Sequence, residues 1–173
     1  MKIMYFSATG NKLYIAEKLG GNLLSIPQLI KNEEYDIEDD AVGIVFPVFY
    51  ANSPRIVREF LKKVNIKADY IFAIASYGSG GDQNALNILI KTLKERGINV
   101  NYTNSVLMVD NFLPRFDMAK EKELKKDSDI DGQIDKLKND IESRKEYILS
   151  KKSFGLIPGH RKDSGSHGQK IIY

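Results

Sequence analysis

Six consecutive residues, Ser7 to Lys12, have the composition of a phosphate-binding loop. They follow an apolar run typical of a buried strand and precede a segment with helical apolar spacing. Backbone N–H groups at a helix start are unpaired and carry partial positive charge, and small residues such as Gly10 let an anion approach them closely. The loop has neither the length and Lys-Ser/Thr ending of a nucleoside triphosphate loop nor the glycine pattern of dinucleotide folds.

Composition limits the other chemistry that the chain can carry. It has 173 residues, no cysteine, and two histidines, His160 and His167. Thiolate nucleophiles, cysteine zinc sites and iron–sulfur clusters are therefore excluded, and histidine chemistry inside the fold is not expected. The net charge is only +3, and no basic face with stacking aromatics indicates a nucleic-acid partner. The longest apolar run, Ala41 to Ala51, is too short to span a bilayer, so we expect no membrane partner and a cytoplasmic location.

Apolar and amphipathic segments alternate along the chain, which predicts strands that alternate with helices. The predicted strands lie at Ile3–Phe6, Asn22–Ile26, Val42–Phe46, Tyr70–Ala75 and within Val100–Val109. Between the second and third strands, Pro27–Asp40 is predicted as a polar connection with one helical turn at most.

Helix signals are strongest after the third strand. Ser53 followed by Pro54 predicts a helix with serine as its N-cap and proline at its first position. A helix is predicted from Ala85 to Arg96, and a last one from near Ala119 with apolar residues at helical spacing as far as Ile148.

Five strands joined through helices imply an α/β fold, a doubly wound five-stranded parallel sheet of order 2-1-3-4-5 with helices on both faces. Ligands of such sheets bind at the carboxyl ends of the strands, near the point where the strand order reverses. Three loops are predicted at this edge: Ser7–Lys12, Pro47–Ser53 and Ser76–Gln83.

The residues of these loops resemble those of flavodoxins. Phe6-Ser7-Ala8-Thr9-Gly10-Asn11 is similar to the flavodoxin phosphate loop, and Gly43 to Tyr50 and Ala75 to Gly78 resemble the other two loops. The resemblance covers about residues 1–150. Through Val109-Asp110-Asn111-Phe112 it is strongest to the flavodoxin half of bacterial flavodoxin–ferredoxin fusion proteins. The chain departs from these proteins in lacking the cysteines of a ferredoxin half, and in having Lys12 where Thr or Ser is usual.

The resemblance implies an FMN cofactor with its phosphate on Ser7–Lys12. Lys12 is either an ammonium that contacts the phosphate or a solvated residue of the first helical turn. Tyr50 and Tyr77 are the expected walls of the flavin ring, with Phe49 as a substitute for Tyr50, although Phe49 is expected to pack inward. The expected cofactor-binding residues are Ser7, Ala8, Thr9, Gly10, Asn11, Lys12, Pro47, Val48, Phe49, Tyr50, Ala51, Asn52, Ser76, Tyr77, Gly78, Gly81 and Asp82.

Two backbone segments are expected to contact the flavin ring. The carbonyl of Ala51 or Asn52 is expected beside the flavin N5 atom, because asparagine tolerates the positive φ that a peptide flip requires. Backbone donors of Ser79–Asp82 are expected at the pyrimidine edge of the ring, although Asp82 can equally cap the following helix.

The function expected from this resemblance is FMN-based electron transfer, with a ferredoxin or a reductase supplied as a separate partner protein. Two alternatives stay open: an FMN-dependent quinone or protoporphyrinogen-type oxidoreductase, and a flavin-free binding module on the same fold. One domain is predicted over residues 1–152, followed by a glycine-rich tail over residues 153–173.

Overall fold

The computed structural model describes residues 1–7, 11–50, 52–78, 84–108 and 129–149, with no account of the Asn11 side chain. The strands are β1 Lys2–Tyr5, β2 Asn22–Ser25, β3 Asp36–Glu38, β4 Ala41–Pro47, β5 Asn65–Lys67, β6 Tyr70–Tyr77, β7 Tyr102–Leu107 and β8 Tyr147–Ile148. The helices are α1 Asn11–Leu19, α2 Ile26–Lys31, α3 Arg55–Leu61, α4 Ala85–Lys94 and α5 Ile130–Glu142. The predicted tail lies outside the described residues.

The main sheet has six strands in the order β2-β1-β4-β6-β7-β8, and every pair in it is parallel. Its first five strands in chain order therefore follow the predicted arrangement 2-1-3-4-5. The prediction of a five-stranded sheet was wrong, because β8 adds a sixth strand beside β7. The strand order reverses between β1 and β4, which places the predicted ligand edge where β1, β4 and β6 end.

A second, two-stranded sheet pairs β3 with β5 in parallel. It continues the β4–β6 pair in the same register, since Glu38 pairs with Lys67 and Ala41 pairs with Tyr70 at the same offset along the chain. Neither strand of this sheet was predicted from the sequence, and α2 was predicted only as one helical turn within Pro27–Asp40. Each of the three elements is short, and β3 has a single buried residue, Ile37, so none of them produces a periodic pattern.

Apolar residues fill both faces of the main sheet. Alternate residues of β6 show the division: Ile71 and Ala73 belong to one core cluster, whereas Phe72 and Ile74 belong to the other. Helices α2, α3 and α4 cover the first face, and helices α1 and α5 cover the second. We call these the α3 face and the α1 face. Within the described ranges, no helix is long and apolar enough to cross a membrane.

Helix boundaries differ from the sequence predictions at two ends. The helix after β4 begins at Arg55, with Pro54 as its cap residue, and Ser53 does not act as the N-cap because no side chain caps this helix. The last helix ends at Glu142, so Ile148 belongs to β8 and not to the helical stripe. Its described start is Ile130, where the Asp129 carboxylate accepts a hydrogen bond of 2.8 Å from the Gly132 N–H.

A buried polar network joins α5 to β7. The Tyr102 hydroxyl donates to the Asp140 carboxylate at 3.0 Å and accepts from the Asn104 amide at 2.9 Å. Burial raises the pKa of Tyr102, and burial also raises the pKa of neighbouring Tyr70 to about 12. Both phenols therefore stay neutral at physiological pH and act as hydrogen-bonding groups.

Candidate functional site at the carboxyl ends of the strands

The loops predicted to bind a ligand start from neighbouring points on the sheet. The Phe6 N–H donates to the Val45 carbonyl at 3.0 Å, and the Val48 N–H donates to the Ser76 carbonyl at 2.8 Å. These bonds extend the strand pairing by one residue beyond β1 and β4. The chain therefore leaves β1, β4 and β6 with its three loops side by side, as the predicted topology requires.

A tight turn follows β4. Phe49 and Asn52 exchange two backbone hydrogen bonds of 2.7 and 3.0 Å, so that residues 49 to 52 form a four-residue turn. Tyr50 has a φ of +48°, a conformation in which most non-glycine residues are strained. Among the described residues of this turn the positive φ is at Tyr50 and not at Asn52, and a contact of the Ala51 or Asn52 carbonyl with flavin N5 stays a prediction. Ala51 lies outside the described residues.

Two aromatic side chains on this turn are open to solvent. Tyr50 is 92% exposed, and Phe49 is 41% exposed. Phe49 therefore does not pack inward under its loop, contrary to expectation. Tyr77, the other expected wall of the ring, ends β6 and is half-buried. By alternation along β6, its side chain lies on the α3 face.

Two serine hydroxyls near this edge are buried and lack hydrogen-bond partners. Ser53 is 1% exposed and Ser76 is 2% exposed, and within the described part of the chain neither Oγ atom has a partner. The backbone of Ser53 is nevertheless fixed, because its N–H donates to the Asn52 side chain and its carbonyl accepts from the Arg58 guanidinium. A buried hydroxyl without a partner costs roughly 1–3 kcal/mol. A bound molecule that reached either hydroxyl would recover this cost.

Sequence analysis included Ser76 among the site residues but assigned Ser53 to the helix cap. The N-cap pattern Ser-Pro is common enough to explain this assignment. No local signal in the sequence distinguishes a capping hydroxyl from one that lacks a partner inside the fold. Only the fold shows that the Ser53 hydroxyl, between the turn and α3, has no hydrogen-bond partner among the described residues.

Lys12 is buried although it lies in the first turn of α1. Its exposed fraction is 6%, so the interpretation of Lys12 as a solvated residue was wrong. Lys12 is in line with Ile15, Ala16 and Leu19, which face the sheet, because residues three, four and seven positions apart share one side of a helix. The first turn of α1 contains no acidic residue.

The remaining predicted residues divide into two groups. Pro47 is buried as the last residue of β4, while Ser7, Val48 and Gly78 are half-buried beside it or at the neighbouring strand ends. Ala8 to Gly10 and residues 79–83, which include Gly81 and Asp82, lie outside the described residues.

The side chains described at this edge indicate what kind of molecule it could bind. They offer hydroxyls, aromatic rings and one ammonium, and among the described residues no three acidic or histidine side chains come together as a metal site. Such a set suits a ligand that combines a flat ring, polar groups and negative charge.

Comparisons with known proteins give structural neighbours only. No family model matches the chain, and no curated protein matches it. A flavodoxin from the domain Archaea is 21% identical, with a TM-score of 0.45 over 78% of this chain and 99% of that one. Rubredoxin oxygen:oxidoreductase of Desulfovibrio gigas is 19% identical, with a TM-score of 0.47 over 80% of this chain and 36% of that one. A Lactobacillus acidophilus flavoprotein in complex with FMN is 13% identical, with a TM-score of 0.43 over 60% of this chain and 91% of that one. Similarities this low do not assign a function to this chain.

Proposed function

We propose that this chain binds FMN at the edge formed by the ends of β1, β4 and β6, and that it transfers electrons through the bound flavin. The observation that carries the proposal is the pair of buried, unpartnered hydroxyls of Ser53 and Ser76. Ser53 follows β4 and Ser76 is near the end of β6, so both lie at the edge where sheets of this topology bind their ligands. A molecule rich in hydrogen-bonding oxygens would satisfy both hydroxyls.

The residues of the site match the parts of FMN. Ser7 to Lys12 would hold the phosphate at the start of α1. Tyr50 and Tyr77 would stack against the ring, a contact worth about 0.5–1.5 kcal/mol beyond the area it buries. The turn from Phe49 to Asn52 would present its backbone to the edge of the ring. When bound, the flavin supplies the electron-accepting and electron-donating chemistry, and the protein supplies binding and shielding.

We place electron transfer before substrate turnover because it is the function that the resemblance to flavodoxins implies. The exposed Tyr50 and Phe49 would leave part of the ring near the surface, where a partner can approach. These 173 residues contain no cysteine for an iron–sulfur cluster, and we propose a ferredoxin or a reductase as the redox partner.

The test is a visible absorption spectrum of the purified protein before and after addition of FMN and desalting. We expect a retained flavin spectrum and FMN as the released compound. Stepwise reduction would then count electrons per step, and single-electron steps support a carrier. Turnover with NAD(P)H and a quinone would instead favour the FMN-dependent oxidoreductase, and a colourless protein after reconstitution would leave the flavin-free binding module.

Ser76→Ala tests the observation that carries the proposal. We expect FMN affinity to fall about fivefold to tenfold, while the apoprotein keeps or gains stability because an unpaired buried hydroxyl is removed. Ser143→Ala is the matched control, since it removes a hydroxyl at the carboxyl end of α5 that bonds the Asp140 carbonyl. Equal FMN affinity in both variants would argue against a ligand at Ser76.

A further inference from the structure

Positive charge is concentrated on the two neighbouring helices α3 and α4 and on the residues that follow them. Residues 55–63 include four lysine or arginine residues and one glutamate, and residues 91–96 include three and one. The described residues as a whole contain sixteen basic and sixteen acidic side chains, so their net charge is zero. Residues 129–142, which include α5 on the other face of the sheet, carry five acidic and two basic side chains. The charge is therefore polarised, with the positive side on the α3 face.

Most of this positive charge has no carboxylate beside it. Within the described ranges these two helices have two ion pairs, Lys62 with Glu59 at 3.0 Å and Lys91 with Glu95 at 4.0 Å. The other five cations have no ion pair with any described acidic residue. We call these five the basic surface: Arg55, Arg58, Lys63, Lys94 and Arg96.

Hydrogen bonds connect the basic surface from one end to the other. Beyond the end of α4, the Arg96 guanidinium donates to the carbonyls of Lys62 at 2.7 Å and Val64 at 3.1 Å, which joins the carboxyl ends of α3 and α4. At the opposite end, the Arg58 guanidinium donates to the Ser53 carbonyl. The basic surface therefore extends from the end of α4 to the turn that follows β4.

Helix dipoles explain only part of this arrangement. Cations near the carboxyl end of a helix are stabilised by its dipole, and this accounts for the three members of the basic surface that end or follow α3 and α4. Arg55 is the first residue of α3, where the dipole disfavours a cation, and no acidic residue lies in that turn. The hydrogen bond from Lys62 lowers the pKa of the Glu59 carboxyl, and the charges of Arg55 and Arg58 lower it further. One carboxylate thus serves three cations, which leaves an excess of positive charge beside the turn.

The geometry points to the basic surface as the docking site of an acidic protein. Because this inference rests on the proposed function, the partner is an electron carrier with carboxylates around its redox centre. The exposed rings of Phe49 and Tyr50 lie on the turn next to the start of α3, and an apolar centre beside a charged rim is the usual composition of a protein interface. A carrier attracted by the basic surface would meet these rings and the proposed flavin edge.

The distribution of charge favours a compact protein over a nucleic acid. The basic surface is about as long as α4, whose ten residues span about 15 Å. A long polyanion would extend beyond it toward the acidic residues around α5, which would repel it. A small acidic protein can contact the positive side alone.

Docking driven by charge acts mainly on the association rate. Opposite charges on two proteins raise the association rate constant by about 10- to 1000-fold, and salt weakens this attraction. The association rate constant with an acidic carrier should therefore fall about tenfold or more as the ionic strength rises from about 0.01 to 0.3 M. An interface that depended on Phe49 and Tyr50 alone would not respond to salt in this way.

The experiment measures association with an immobilised acidic ferredoxin by surface plasmon resonance, for the full chain before and after loading with FMN. The test variant combines Arg55→Glu with Lys94→Glu, and Arg55→Gln with Lys94→Gln is its neutral counterpart. Lys136→Glu with Lys138→Glu is the control, since it changes the net charge equally on α5. A thymidine oligonucleotide as a second immobilised probe tests for a nucleic-acid partner. Flavin fluorescence and thermal melting report FMN binding and folding of each variant.

We expect the variant with two glutamates to associate with ferredoxin about tenfold more slowly than wild type at low salt, and the variant with two glutamines to be intermediate. The control should differ from wild type by less than about twofold, because its changes lie on the other face. All variants should keep the wild-type FMN affinity, since Arg55 and Lys94 are not among the expected FMN-binding residues. Their Tm should also stay close to that of wild type, because glutamate is favoured at the start of α3 and disfavoured at the end of α4.

Other outcomes separate this inference from the proposed function. If the test variant and the control slow association equally, or if wild type associates without any dependence on salt, the basic surface is not the docking site, and FMN binding is judged by fluorescence alone. If the full chain binds no FMN but its association with ferredoxin depends on Arg55 and Lys94, the docking surface stands and the flavin proposal fails. If the oligonucleotide binds more tightly than ferredoxin with the same dependence on the variants, the partner is a nucleic acid and the inference of an acidic protein is wrong.

Discussion

Tyr50 combines a strained backbone with an almost fully exposed side chain. A φ of +48° is easily adopted by glycine and costs other residues roughly 1 kcal/mol or more, while glycine itself adds an entropy cost. Tyr50→Gly should therefore raise the free energy of unfolding by about 0.5–1 kcal/mol, and Tyr50→Val should lower it, as urea unfolding of the apoprotein can measure. Because the ring is lost in both variants, both should bind FMN more weakly than wild type. A glycine variant that loses stability would show that the tyrosine ring, and not the turn, determines the conformation.

Gly43 is required at the centre of β4 for a different reason. A Cβ atom at this position would lie 2.2 Å from the Phe72 ring, and Phe72 is fully buried in the neighbouring strand. Neither strand can shift freely, since both are paired on two sides. Gly43→Ala should therefore destabilise the protein by about 2–3 kcal/mol, measured by urea unfolding.

A double variant checks the cause of that loss. Gly43→Ala combined with Phe72→Leu should be more stable than the sum of the two single effects predicts, because the shorter side chain gives the new methyl group room. Additive effects would mean that the Phe72 ring is not what excludes a side chain at Gly43.

At the scale of elements, Asp140 links α5 to the sheet and makes stability depend on pH. The hydrogen bond from Lys145 at 3.0 Å, assisted by the Tyr102 hydroxyl, lowers the pKa of the Asp140 carboxyl below its usual range. A carboxyl with a lower pKa in the folded state stabilises the protein above its unfolded pKa, near 3.9. This contribution is lost as the pH falls from about 4 through the folded value.

Asp140→Asn should accordingly be less stable than wild type at pH 7, and the difference should shrink toward pH 3. Urea unfolding at both pH values measures it, with Asp135→Asn on the exposed side of the same helix as the control for removal of one negative charge. Asp39, Glu59 and Asp131, whose pKa values are also lowered, are present in all three proteins and cancel in the differences. A difference that stays constant with pH would assign the loss to packing.

The elements differ in how far their sequences could predict them. The central strands β4 and β6 were predicted correctly because long apolar runs buried on both faces are hard to mistake. Strand β8 was assigned to the last helix because Ile148 follows Ile141 at seven residues, a spacing that a helix also produces. The helix ends after Glu142, and Arg144, at a φ of +50°, turns the chain toward the sheet. The spacing of apolar residues does not show where a helix ends and the chain turns back toward the sheet.

The sequence predicts the location of the candidate site better than it predicts which of the side chains there are buried. Topology alone locates ligands at the carboxyl ends of β1, β4 and β6, and loop composition indicated an anion there. The exposure of side chains was not predictable: Phe49 was expected to pack inward and is exposed, and burial excludes only the solvated interpretation of Lys12. Whether the Ser53 hydroxyl has a hydrogen-bond partner depends on which groups surround it after folding. That is a property of tertiary packing, which local sequence does not encode.

At the scale of the whole molecule, β8 is the outermost described strand on its side of the sheet, and the chain from there to residue 149 packs against the core. The Tyr147 N–H donates to the Asn101 carbonyl at 3.0 Å, and the Leu149 N–H donates to the Thr103 hydroxyl at 2.8 Å. Leu149 also packs against the core of the α3 face, and the Tyr147 ring lies 6.2 Å from that of Tyr102. These contacts make the residues as far as Leu149 part of the folded domain, and a boundary near residue 152 stays a prediction.

Two shortened chains test this boundary. A chain that ends at residue 152 keeps β8 and should match the Tm and FMN affinity of the full chain. A chain that ends at residue 145 loses β8 and Leu149 and leaves β7 as an unpaired edge, so it should lose about 2–4 kcal/mol of unfolding free energy. Urea unfolding and flavin fluorescence measure the two properties separately. If the chain ending at residue 152 loses as much stability as the shorter one, the residues beyond it belong to the folded domain, because the contacts made by β8 are the same in that chain and in the full protein.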